Sequence, residues 1–403
     1  MQIRMTTRYP GPSCKWEVFI ANCSTVLNPT FFGISSSLET NVIEIGFEKP
    51  IYEKYPVLMC FAPMVYESRW QQLIFATEMY HHFGVDLQVQ YVNSAMKQIM
   101  EILKIYKAKK WIEIEEFSYF DFEKEIVEEI GFHPMKEILS RNQHLGYTDC
   151  FLKYRESAEF IIIGDIDEIL FPKFRNTYYT EFGIRSFLHP NAAFFMYGRR
   201  YAKIDAPNEF GNFSLSNSIE SMKIAKAVFL GKSVLRTDRV ETPWIHFAGL
   251  ISKGVKVNVD VDDNIIYHFQ ITDSKVRAAK DLHTFIGSEK PENLLPFNPI
   301  PKEEIQSMNE TFNLSFANLK NFKSNFVHAD IIFEYFSKHG NWEDSSCITP
   351  LVAQFPENIT NFECIVARRN FSTKYLNNNT AFYVPKSNFE WEENKEKCEI
   401  FKK

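Results

Sequence analysis

No block of Lys and Arg and no CxxC pair occurs in this 403-residue chain, and no apolar run approaches the ~18 residues that a bilayer span needs. The missing basic block argues against a nucleic-acid binder, whose affinity rests largely on neutralising phosphates. A formal net charge of -6 points the same way. Without a CxxC pair, a structural zinc site is not expected. The longest apolar candidate, Tyr55 to Tyr66, is broken by Pro56 and Pro63, and Met1–Arg8 lacks the apolar stretch of a secretory signal. On this reading the chain has no membrane segment and carries no legible address.

What is present is ordinary in bulk. At 45% hydrophobic and 24% charged, the composition is that of a globular chain that buries a core, which sets disorder aside. The length allows one large domain or two smaller ones. The 38 Phe residues are read as core material rather than as a binding stripe. Two features hint at the secretory pathway. Seven cysteines (Cys14, Cys23, Cys60, Cys150, Cys347, Cys364 and Cys398) include several in loop-like ends where disulfides are plausible, and the odd count leaves one unpaired. There are also seven N-x-[ST] sequons, at Asn22, Asn212, Asn309, Asn313, Asn358, Asn370 and Asn378.

Residues 1–54 are rich in Pro, Ser, Thr and Asn and read as an irregular N-terminal extension. From Val57 the pattern changes. Val57–Ala62 is a short buried strand, and Tyr66–Phe83 is a helix that Gly84 stops. Val85, Leu87, Val89 and Tyr91 alternate as a strand does. Ala95, Ile99, Ile102, Leu103 and Tyr106 mark a second helix, and Trp111–Ile114 a third strand. This rhythm implies an α/β fold, with a mostly parallel central sheet flanked by helices. A helical region over about 135–155 then leads into Phe160–Gly164, an apolar strand buried on both faces, and Ala192–Tyr197 is another strand. The sheet-building domain is placed at 55–285 and a mixed, then polar and Asn-rich C-terminal extension at 286–403, with no internal repeats.

The stretch that carries chemistry is Phe160-Ile161-Ile162-Ile163-Gly164-Asp165-Ile166-Asp167-Glu168-Ile169-Leu170-Phe171-Pro172. Its three acids follow directly on a buried strand, and in an open α/β sheet ligands bind outside the carboxyl ends of strands. If Asp165-Ile166-Asp167 stays extended, its two carboxylates share one face. Two convergent carboxylates repel unless a cation lies between them, and hard oxygen ligands suit Mg²⁺ or Mn²⁺. A metal held by so few protein groups keeps positions open for diphosphate oxygens. It would offset the charge that grows on a departing nucleoside diphosphate. The chemistry implied is transfer of a group off a nucleotide. A DxDxT phosphatase would need Thr where Ile169 stands, and the offsets of an EF-hand loop are missing.

Four stretches together resemble glycosyltransferase family 92. They are Met59-Cys60 through Pro63, Tyr66-Glu67 and Arg69-Trp70; Val85–Tyr91 with Asn93-Ser94; Gln143 to Asp149-Cys150-Phe151; and Gly164 to Pro172. The resemblance covers roughly 55–285. It implies a GT-A-like nucleotide-sugar-binding fold, a UDP-sugar donor (galactose in characterised members), a Mn²⁺-type metal, and inversion at the anomeric carbon. A glycan acceptor and residence in the Golgi behind an N-terminal membrane helix are implied with it. Two departures stand out. Phe210-Gly211-Asn212-Phe213-Ser214 replaces a Gly-Ser-rich stretch with a His, which bears on acceptor choice, and His268-Phe269-Gln270 replaces a late His-Tyr-Arg.

The resemblance makes His268 a candidate third metal ligand beside Asp165 and Asp167, with His246 as its competitor. Asp165 and Asp167 are also the donor-binding residues, and Glu168 is expected to support them from behind. An inverting transfer needs a general base, for which Glu220 is the candidate and Glu209 its alternative. His81-His82 is read as merely solvated. Two rival readings remain: a catalytically silent sugar-binding relative and a metal-dependent phosphohydrolase resting on the acids alone.

Overall fold

The computed structural model of the protein describes residues 2–5, 14, 18–35, 42–136, 143–174, 177–272, 293–323, 347, 363–377 and 380–395. Among them, no helix is long and apolar enough to cross a membrane. The elements that position the site begin with β1 (Val57–Phe61), α1 (Trp70–His82), β2 (Leu87–Val92) and the short β3 (Ser94–Met96). Next come α2 (Lys97–Ala108), β4 (Ile112–Glu116), α3 (Gln143–Tyr154), β5 (Phe160–Gly164) and β6 (Glu168–Leu170). They are followed by α4 (Tyr178–Leu188), β7 (Ala192–Asp205), α5 (Leu215–Glu220), β8 (Lys223–Arg236) and β9 (Ile266–Thr272). Last are α6 (Lys302–Phe316) and a hairpin of β10 (Cys364–Asn377) and β11 (Thr380–Asn394).

Eight of these strands form the main path of one sheet in the spatial order β6-β9-β7-β8-β5-β1-β2-β4. Five of the sheet's nine strand pairings are parallel, including the run β5-β1-β2-β4, so the expected α/β class holds. All five residues of β1 and of β5 are buried, which is why both read as unbroken apolar runs rather than as alternation. Because these neighbours are parallel, the turns that leave their carboxyl ends lie side by side. Asp165 therefore comes next to the 62–69 turn.

That turn is longer than the sequence pattern suggests, and α1 starts at Trp70 rather than Tyr66. Backbone bonds tie it to the next strand pair instead: Met64 N–H donates to Tyr91 O, Glu67 N–H to Ser94 O, and Met96 N–H to Glu67 O. Tyr66, fully buried, sits in the left-handed region with φ of 51°, a conformation costly for a bulky residue. Such strain persists only where surrounding structure enforces it, here beside the acids.

The core is continuous beyond residue 285. Ile305, Met308, Phe312 and Phe316 of α6 belong to the same buried cluster as β1 and α1. Trp70 is ringed by Phe210, Phe213 and Phe322 at centroid separations of 5.4, 5.3 and 5.4 Å. The 210–214 stretch thus builds core at this point. The C-terminal polar region also contains more regular structure than its composition announces. Its buried start, Cys364 to Ala367, puts β10 against β3 in a three-stranded sheet. Disulfides join Cys60 of β1 to Cys150 of α3, and Cys14 to Cys347. Cys364 is disulfide-bonded too, and Cys23 is free.

Candidate functional site

Asp165 leaves the end of β5, and Asp167 follows in the tight turn into β6, where Glu168 N–H donates to Asp165 O. β6 pairs with β9 so that Glu168 lies opposite His268, and Phe269 N–H closes onto Asp167 O at 2.7 Å. The strand register itself therefore brings His268 to Asp167, with Nε2 3.2 Å from Oδ2. On the other side, Arg69 Nη1 donates to the same Oδ2 at 2.8 Å.

Arg69 is itself held. Its Nε donates to Glu67 Oε1 at 2.9 Å and its Nη2 to Glu67 Oε2 at 2.7 Å, the two-pronged geometry that suits a guanidinium to a carboxylate. Glu67 Oε1 also accepts from the backbone N–H groups of Ser68 and Arg69. Burial works against ionisation of Asp167, but His268 and Arg69 outweigh it and hold the carboxyl far below its usual range. Burial likewise opposes the charged form of His268, yet Asp167 keeps the imidazole raised above its ordinary value.

Asp165 has a different set of partners. Gln143 Nε2 and Tyr147 OH donate to its Oδ1 at 2.6 and 3.1 Å, and Lys232 Nζ lies 3.3 Å from its Oδ2. Lys232 is buried, and its Nζ also reaches Ile245 O at 3.0 Å and Glu168 Oε2 at 3.7 Å. Glu168 is almost wholly enclosed. It accepts from Arg199 Nη1 at 3.1 Å and from Asp165 N–H at 3.2 Å. Burial pushes its carboxyl up and Lys232 pulls it down, with Asp165 and Asp167 adding to the upward push. Each acid of the triplet thus meets a fixed cation, Lys232 being shared by Asp165 and Glu168.

The structure brings Asp165, Asp167, Glu168 and His268 into one network, and leaves three other candidates outside it. Glu220 is exposed at the end of α5 and makes no hydrogen bond or ion pair with the network. Glu209 accepts from Asn321 Nδ2 at 2.7 Å and lies 4.0 Å from Lys323 Nζ, away from the acids. His246 is nearer: its Nδ1 is 2.9 Å from Gly231 O, and burial, with Lys232 beside it, lowers it to about 4. The pair read as merely solvated is engaged: His81 stacks on Trp111 at 3.5 Å and His82 pairs with Glu304 at 3.0 Å. Glu67, Arg69, Gln143, Tyr147, Arg199 and Lys232 were given no role from sequence.

Among the described residues, no group of three or more His, Cys, Asp and Glu side chains is arranged to hold a metal ion. The pair Asp167–His268 does suit two neighbouring positions on one ion. Its 3.2 Å N–O separation matches the ~3 Å edge of an octahedron with ~2.1 Å bonds. Mg²⁺-like ions are commonly bound by one or two protein groups, with water and phosphate oxygens completing the set.

A family profile described as Glycosyltransferase family 92 matches residues 55–316. Two proteins of that family from Caenorhabditis elegans are 28% identical over 258 residues and 30% identical over 259 residues. Each match covers 64% of this chain, and 50% and 49% of the relatives, so the chain spans about half the length of the relatives it matches. Among solved structures, S. aureus TarS 1-349 in complex with UDP is 9% identical, covers 66% of this chain and 72% of its own, and gives a TM-score of 0.27. That likeness is too slight to carry any argument.

Proposed function

Since the chain belongs to glycosyltransferase family 92, we propose that it transfers a hexose from a UDP-sugar donor to a glycan hydroxyl, with galactose as the sugar and inversion at the anomeric carbon. The observation that carries this reading is the acid network at the carboxyl ends of parallel β1 and β5, inside the family-matched segment. Asp165, part-exposed and steadied by Gln143, Tyr147 and Lys232, would accept a hydrogen bond from the donor. Asp167 and His268 would hold a Mn²⁺ or Mg²⁺ ion, which when bound offsets charge on the departing diphosphate. Glu168 anchors Asp165 through its backbone N–H and so fixes the turn.

The test is transfer from a panel of UDP-sugars to a glycan array with Mn²⁺, repeated in excess EDTA. We expect transfer from UDP-galactose and a loss of at least about tenfold in EDTA. Full transfer in EDTA would remove the metal role of Asp167 and His268. Tight UDP-sugar binding with no transfer to any acceptor would instead favour the catalytically silent relative.

We further propose residence in the lumen of the secretory pathway. The Cys60–Cys150 and Cys14–Cys347 disulfides favour an oxidising compartment, and sequon residues Asn22, Asn212, Asn313 and Asn370 are exposed. Asn358 and Asn378 lie outside the described residues. Expression behind an added signal in a secretory host is expected to give a band that N-glycosidase shifts downward. An unmoved band would count against the lumen.

A further inference from the structure

We propose that Arg69 is a binding residue for the donor's diphosphate, set in place by Glu67. This inference rests on the nucleotide-sugar reading above and adds a residue to it. A guanidinium carries five N–H donors. Two go to Glu67 and one to Asp167, which leaves two for a ligand oxygen. The side chain is 21% exposed, and Asp167 and His268 beside it are 13% and 22% exposed, so none of the three is sealed from solvent.

The geometry is that of a group fixed before its ligand arrives. Glu67 grips Nε and Nη2 together, and its Oε1 is in turn held by two backbone N–H groups. The left-handed Tyr66 sets the turn that carries both residues. Little side-chain freedom is left for a ligand to remove, so an oxygen anion bound here would pay little ordering entropy. Phosphate oxygens suit the free N–H groups, because planar donors on a guanidinium match them well. The position also suits them, since the network lies at the carboxyl ends of the parallel strands, where α/β folds take their ligands. Arg69 would thus supply positive charge to the diphosphate independently of any metal.

The experiment uses that independence. Titrate UDP and uridine calorimetrically into the full chain, once with Mn²⁺ and once in EDTA. In EDTA the wild type is expected to bind UDP roughly 10- to 100-fold more tightly than uridine, the range for hydrogen bonds to charged groups. Replacing Arg69 alone by a neutral residue would strand the buried Glu67, so the variant is E67Q with R69Q. It should bring UDP and uridine to within about twofold in EDTA and leave uridine affinity unchanged. Arg69→Lys keeps the charge but not the planar fork, and should lose at least about threefold of the preference. If the double variant fails to fold, Arg69→Lys decides alone.

An unchanged UDP preference in the folded variants overturns the assignment. So does a wild type with no preference for UDP in EDTA but normal UDP binding with Mn²⁺. If UDP binds under neither condition, the nucleotide reading falls and this inference falls with it.

Discussion

Asp167→Asn is expected to lower transfer by ~10²–10³, on the order of 3–4 kcal/mol of transition-state stabilisation, while the protein stays folded. The substitution keeps the size and the hydrogen-bonding oxygen of the side chain and removes its charge. That charge faces two groups, Arg69 Nη1 at 2.8 Å and His268 Nε2 at 3.2 Å. Folding should survive because Arg69 retains its two-pronged bond to Glu67 and is not left as an orphaned cation. The turn should survive as well, since Phe269 N–H bonds the backbone oxygen of residue 167 rather than its side chain. Melting temperature and UDP release are measured side by side, with Mn²⁺ present. A variant that melts many degrees lower would mean that the residue serves structure first. A variant that turns over normally would mean that the acid pair is not the site.

The sheet was legible because its central strands are short, apolar and separated by helical spacing, and burial on both faces is the mark of a sheet covered by helices. The acids were legible because charge directly after such a strand conflicts with the core unless it emerges at the strand end. His268 was found only through family resemblance; its place opposite Glu168 depends on β6–β9 pairing across nearly a hundred residues of chain, which local pattern does not encode. Glu67 and Arg69 carried a fainter signal, two charges in the turn between a buried strand and an apolar helix. Lys232 offers another, the one cation in the mostly apolar run Ala227-Val228-Phe229-Leu230-Gly231-Lys232-Ser233-Val234-Leu235. Its partners come from β5, β6 and the 245 loop, so its meaning appears only once the sheet is assembled. The β10–β11 hairpin was hidden by its many exposed polar residues, which composition alone assigns to loops.

Lys232→Met should cost about 3 kcal/mol of stability, near the lower end for breaking a buried ion pair, and lower the melting temperature by roughly 3–5 °C. The side chain is 1% exposed, with Asp165 at 3.3 Å and Glu168 at 3.7 Å. Methionine fills much the same space, so the loss is electrostatic rather than a cavity. The lower end is expected because neither acid is fully abandoned. Glu168 keeps Arg199 at 3.1 Å, while Asp165 is 34% exposed and keeps Gln143 and Tyr147. What is lost outright is the donor to Ile245 O and the cation beside Glu168 Oε2. Pairing the change with Glu168→Gln separates these contributions. If the two side chains act as a unit, the double variant should be less destabilised than the two single losses summed, by about 1 kcal/mol or more. Additive losses would mean that Lys232 acts mainly through Asp165 and the 245 carbonyl. An unchanged melting temperature for Lys232→Met would show that the buried cation contributes nothing net to the fold, since its desolvation then cancels everything it gains from the acids.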